Sequence, residues 1–184
     1  TKYLGYMWEC PDYFMLDNKE ILIFSPQGIK NMYLEYKNTY EVGYSIINEE
    51  IEKVEVIDNF NLLDYGFDFY APQTFIDEDG NRVLIAWMYI PDSPYINPTV
   101  EFGYQNCLSI PRVLKIKNNK LLQNIHKSIY TLFNNDLSDT FEEKKWYFKQ
   151  NMNHSFKISI DSLNILYDNK MLEINLNGHS ALTF

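Results

Sequence analysis

Trp8-Glu9-Cys10-Pro11-Asp12-Tyr13-Phe14 and Phe69-Tyr70-Ala71-Pro72-Gln73-Thr74-Phe75 line up residue for residue, with Pro11 on Pro72 and Phe14 on Phe75. A polar turn follows each copy, Asp17-Asn18-Lys19-Glu20 in the first and Asp77-Glu78-Asp79-Gly80-Asn81 in the second. Ile21-Leu22-Ile23 and Val83-Leu84-Ile85 come next, one residue further along in the second copy. Strand, turn and strand thus recur, at a spacing somewhat longer than the ~40–50 residues of common propeller repeats. If the unit is a propeller blade, its first strand is innermost and lines the central channel, so Glu9 and Tyr70 hold equivalent places on neighbouring blades. Strict alternation along that strand puts Glu9 and Pro11 on one face, Trp8 and Cys10 on the other. Two blades do not close a ring, which needs at least ~4, so the sequence is expected to be incomplete on its N-terminal side.

The same grammar extends along the chain. Tyr40 to Ile47, Val54 to Ile57, Leu108 to Ile110, Trp146 to Phe148, Phe156 to Ile160, Leu163 to Tyr167 and Met171 to Leu176 are short runs rich in β-branched and aromatic residues. Asn, Asp, Gly and Pro punctuate them, and long capped amphipathic helices are missing. The fold class is therefore all-β. From Lys115 onward Asn and Lys become frequent and the Pro-bounded pattern fades. This predicts a domain boundary, with 1–113 as the blades and 114–184 as a linker and the start of a second β-domain.

Composition narrows the function. With 46% hydrophobic and 16% aromatic residues, the chain has ample material for a core. A net charge of −9 argues against nucleic acid and against anionic membranes as partners. No run of about 18 apolar residues marks a membrane span. Cys10 and Cys107 read as two reduced thiols, which fits a cytoplasmic protein. His126, His154 and His179 are scattered, and no ligand-spaced Cys, His or carboxylate cluster points to a metal. No cofactor is implied.

Glu9 is the unusual residue, a carboxylate between a tryptophan and a Cys-Pro step in an apolar run. A carboxyl group buried from water keeps its proton to higher pH, which suits a proton donor near neutrality. Read alone, it is equally a solvated glutamate on a strand edge. Gly5-Tyr6-Met7-Trp8-Glu9-Cys10-Pro11-Asp12 resembles the acid/base motif of glycoside hydrolase family 32. Ser25-Pro26-Gln27-Gly28, Asp64-Tyr65-Gly66-Phe67-Asp68-Phe69-Tyr70-Ala71-Pro72-Gln73-Thr74-Phe75, Ala86-Trp87-Met88 and Ser109-Ile110-Pro111-Arg112 follow in the family's order. The resemblance covers residues 5–112 and is weak beyond them.

The resemblance implies about two blades of a five-bladed β-propeller followed by part of a β-sandwich. It implies a retaining β-fructofuranosidase acting on sucrose, sucrose 6-phosphate or a fructan, with Glu9 as general acid and then base. Asp64, Asp68, Tyr70 and Trp87 are the expected substrate contacts, with the Tyr70 hydroxyl touching either sugar or the acid. Asp12 is expected to hydrogen-bond within a loop, and Cys10 to pack as a thiol beside the acid. The family's nucleophile lies in an Asn-Asp-Pro motif, and neither that motif nor Arg-Asp-Pro occurs here. The chain therefore reads as the C-terminal half of such an enzyme, inactive alone. Two further departures are Val113 after Pro111-Arg112, at an expected domain contact, and Tyr89 after Trp87-Met88, which narrows the pocket rim. The competing readings are a non-catalytic carbohydrate-binding module and a complementing subunit of a split enzyme, whose unpaired blade edge would associate with a partner.

Overall fold

A computed structural model describes residues 4–30, 38, 40–47, 60–66, 68–93, 95, 96 and 98–131, with the strands 163–168, 171–176 and 180–183. Side-chain surroundings are described up to residue 131. The strands expected over 54–57, 146–148 and 156–160 lie outside the described residues.

The described chain is built from strands, with two short 3-10 turns. β1 (Met7–Leu16), β2 (Lys19–Gln27), β3 (Gly43–Ile47) and β4 (Asn61–Leu62) pair in chain order as one antiparallel sheet. β5 (Tyr70–Ile76), β6 (Arg82–Met88), β7 (Cys107–Leu108), β8 (Arg112–Lys117) and β9 (Lys120–Ile125) form a second. There, β7 and β8 share one edge of β6: Trp87 faces Leu108, and Val83 faces Val113. Ser109 bridges the gap, its Oγ accepting the Ala86 N–H at 3.0 Å. Each sheet is thus a four-step meander of the propeller-blade type. β10 (Leu163–Asp168), β11 (Met171–Leu176) and β12 (Ser180–Thr183) make a third antiparallel sheet.

β8 and β9 continue the second sheet to Ile125, past the division expected after residue 113. The asparagines that looked like a boundary are a hairpin. Lys117 pairs with Lys120, and Asn118 and Asn119 between them have φ of 52° and 59°. Asp17 and Asn18 between β1 and β2 repeat the device, with φ of 49° and 60°. Positive φ at both central residues is the type I′ turn, whose twist matches that of paired strands.

The repeat is present in the backbone, and it corrects the strict alternation along β1. Glu9 pairs with Ser25 and Asp12 with Ile23, so Cys10 and Pro11 together oppose Phe24. Tyr70 pairs with Trp87 and Gln73 with Ile85, so Ala71 and Pro72 oppose Ala86. Both are β-bulges, and their first residues have matching torsions, φ 48° at Cys10 and 47° at Ala71. Proline is tolerated because a bulge leaves a residue out of the hydrogen-bond ladder.

The sheets pack face to face. Phe14, Ile21, Ile23, Tyr44 and Ile46 of the first meet Leu84, Ala86, Leu114 and Leu121 of the second. Phe14 is buried there, beneath the Arg82 guanidinium 4.6 Å from its ring centre. Its repeat partner Phe75 lies across from Val83, on the face turned away from the first sheet, and is 48% exposed. Among the described residues, no helix is long and apolar enough to cross a membrane.

Candidate active site

Glu9 and Tyr70, equivalent in the two blades, meet at one end of the sheets. The Tyr70 hydroxyl donates to Glu9 Oε2 at 2.6 Å. Glu9 is half-buried and Tyr70 fully buried. Burial, then the bond to Glu9, pushes the Tyr70 phenol well above its ordinary range, so it stays a donor at any working pH. The bulges bring this about: each breaks the ladder just after the key residue and turns the strand there.

Close backbone approach holds the N-terminal side of this site. Tyr6 N–H donates to the Gln27 carbonyl at 2.9 Å. A Cβ on Gly5, whose φ is +79°, would lie 1.9 Å from that oxygen, so only glycine fits. Gly28, with φ +86°, leaves room for the Tyr6 ring in the same way. The Tyr6 hydroxyl donates to Gln27 Oε1 at 3.3 Å, and Gln27 also hydrogen-bonds the Tyr70 phenol. Trp8 is an anchor: its ring lies 4.3 Å from that of Phe24, and its Nε1 donates to the Leu4 carbonyl at 2.8 Å. Burial, then the Glu9 charge, pushes the Cys10 thiol up, which keeps it protonated beside the acid.

The other expected contacts are placed differently from one another. Asp12 Oδ2 accepts the Thr74 N–H at 2.7 Å, tying the first blade to the second as a hydrogen-bonding residue. Asp64 is buried. Its Oδ2 accepts from Arg112 Nη1 at 2.9 Å, its Oδ1 accepts the Gly66 N–H at 2.8 Å, and both charged side chains are almost wholly enclosed. Arg112 donates as well to Gln123 Oε1 at 3.0 Å and lies 4.7 Å from the Phe69 ring centre. Asp68 accepts the Tyr95 hydroxyl at 2.6 Å, and burial pushes its carboxyl up. Trp87 lies directly across from Tyr70, half-buried, with its ring 5.4 Å from that of Tyr89.

Four residues enter that the motif reading passed over. Gln27 was legible within Ser25-Pro26-Gln27-Gly28. Glu41 was legible as an acid beside the apolar run Val42 to Ile47; it is buried, takes the Asn38 N–H at 2.9 Å, and burial holds its carboxyl up at about 7. Tyr40 and Tyr95 had no local signal, because their partners Asp92 and Asp68 lie 52 and 27 residues away. Among the described residues, no group of three or more His, Cys, Asp or Glu is placed to hold a metal.

The model of the glycosyl hydrolases family 32 N-terminal domain matches residues 1–124, almost the whole of the two blades. The sucrose-6-phosphate hydrolase of Staphylococcus xylosus is 47% identical over 133 residues, covering 72% of this chain and 26% of that protein. The chain spans about a quarter of the length of the curated relatives it matches. Among solved structures, a family 32 β-fructofuranosidase of Bombyx mori superposes with a TM-score of 0.61 at 31% identity, over 92% of this chain and 31% of that one. The sucrose-6-phosphate hydrolase of Lactobacillus gasseri superposes with a TM-score of 0.59 at 34% identity, over 70% of this chain and 27% of that one.

Proposed function

We propose, since the chain belongs to glycosyl hydrolase family 32, that it carries the proton-donating side of a retaining β-fructofuranosidase that splits sucrose or sucrose 6-phosphate. The observation that carries the reading is the 2.6 Å bond from the buried Tyr70 phenol to Glu9. Glu9 protonates the departing glycosidic oxygen and then, as a carboxylate, takes the proton of the attacking water. Tyr70 holds one Glu9 oxygen and leaves the other to face the substrate. Trp87 and Tyr89 line the pocket beside it.

The retaining reaction needs a second carboxylate ~5–5.5 Å from the acid. In the matched motifs Asp12, Asp64 and Asp68 are each bound elsewhere. The Asn-Asp-Pro motif that holds the family's nucleophile does not occur in these 184 residues, so the nucleophile comes from outside them and this stretch alone is inactive. Asp68 serves substrate through Tyr95, and Asp64 serves the frame. The blades end after Ile125, with a β-sandwich beyond, of which β10 to β12 are part. The protein works in the cytoplasm, a reading supported by its two thiols, Cys10 and Cys107.

The test is fructose release from sucrose and from sucrose 6-phosphate by the full-length gene product. Glu9→Gln should lower kcat by about 100- to 10,000-fold, the worth of a positioned proton donor. NMR should show β-fructofuranose as the first product. Full activity in Glu9→Gln, or an inverted first product, would sink the proposal.

A further inference from the structure

β2 and β6 both end on the Glu9 side of the sheets, and Tyr40, shortly before β3, and Asp92, shortly after β6, lie there. The registers fix this: Met7 of β1 faces Gln27, Tyr70 faces Trp87, and Met88 faces Cys107. The Tyr40 hydroxyl donates to Asp92 Oδ2 at 2.9 Å. The Tyr40 ring lies 5.7 Å from the ring of Tyr70, which itself holds Glu9. Asp92 is exposed, with its backbone in the left-handed region at φ 55°, so the turn at Pro91-Asp92 aims its carboxylate at Tyr40 at some conformational cost. The turn is fixed from behind: Ser93 Oγ donates to the Tyr95 carbonyl at 3.1 Å, and the Tyr95 hydroxyl donates to Asp68. Tyr6, 72% exposed, stands on the same side.

A carboxylate beside aromatic rings is the equipment with which proteins hold sugars, the oxygens accepting from hydroxyls and the rings covering the apolar face. This equipment lies next to the residue that protonates the leaving oxygen. We propose that the Tyr40–Asp92 pair receives the leaving sugar of the fructoside and sets which leaving groups the enzyme accepts. The inference rests on the reading of Glu9 as the acid. Asp92 accepts hydroxyls of the leaving pyranose, and Tyr40 serves both as its wall and as the clasp that orients the Asp92 carboxylate. The Asp92 bond, more than burial, holds the Tyr40 phenol above its ordinary value, so the clasp is intact across the working pH range.

Steady-state kinetics of the full-length gene product on sucrose and on methyl β-fructofuranoside test the proposal, because only sucrose brings a leaving sugar. Tyr40→Phe, which keeps the ring, and Asp92→Asn, which keeps the shape, should each lower the ratio of the two kcat/KM values about tenfold. Inhibition by free glucose should weaken in parallel. A ratio unchanged in both variants, with equal losses on both substrates, overturns the proposal, since a merely structural clasp affects both alike. If the parent protein releases fructose from neither substrate, the glycosidase reading fails first and takes this one with it. If Asp92→Asn fails to fold, Tyr40→Phe alone decides.

Discussion

Asp64 separates a frame residue from a sugar contact, and Asp64→Ala is the decisive change. The variant leaves the Arg112 guanidinium enclosed, with side-chain exposure of 1%, facing a hole where its carboxylate partner stood. Arginine does not shed its proton, so the charge stays buried. Breaking a buried pair from one side costs about 3–5 kcal/mol. The orphaned Gly66 N–H adds a further ~1 kcal/mol where water does not reach it. A urea slope of about 2 kcal/mol per molar is typical of domains this size, so the unfolding midpoint should fall by roughly 2 M, followed by tryptophan fluorescence. Asp64→Leu combined with Arg112→Met should recover most of the loss, because replacing both charges leaves no unpaired ion. Asp64→Asn should destabilise without raising KM for a fructoside selectively. A midpoint unmoved within about 0.3 M, or a KM effect with no stability effect, would refute the frame assignment.

Tyr70→Phe removes the donor on Glu9 and keeps the ring; kcat on sucrose should fall by about 10- to 100-fold, the worth of one charge-assisted hydrogen bond, and an unchanged kcat would detach Tyr70 from the chemistry. Glu41 contributes a pH dependence to stability. Its folded carboxyl titrates at about 7 against an ordinary 4.5, so the folded state holds the extra proton, and stability present below pH 4.5 is lost as pH rises to 7. Glu41→Gln should flatten that slope and stabilise the protein at pH 8 by up to ~3 kcal/mol, read from urea midpoints at several pH values. Asn18→Gly, at φ 60° in the β1–β2 turn, should raise the melting temperature by a few degrees, since Asp-Gly is the preferred type I′ pair; Cys10→Val, a branched side chain at φ 48°, should lower it.

Local pattern carried the elements that local pattern builds. The paired Pro-Phe copies announced β1 and β5, and their equivalence brought Glu9 and Tyr70 to one place. The bulge was not legible, because strict alternation is broken by a left-handed residue at Cys10 and Ala71, and neither type signals positive φ. The hairpin of β8 and β9 was not legible, since Asn118-Asn119 between lysines looks like loop composition and becomes a turn only when strands flank it. Asp64 shows the limit for sites. Its sequence neighbours resemble a rim motif, while its partners, Arg112 and Gly66, are set by packing. Tyr40 and Tyr95 were invisible for the same reason: what makes them matter is who sits opposite.

The hairpin tips give the blades a mechanical character. Far from Glu9, Lys19 Nζ donates to Asn119 Oδ1 at 2.7 Å, and the Ile116 N–H donates to Asp17 Oδ2 at 2.9 Å, pinning the two sheets together at that end. β5, 7 residues and about 23 Å long, carries Tyr70 at its opposite end. Partway along it, Asp12 Oδ2 takes the Thr74 N–H at 2.7 Å and ties the sheets a second time. Tied at the tips and again at Asp12, the two blades form one body, and the Glu9–Tyr70 contact owes its constancy to ties placed along their length.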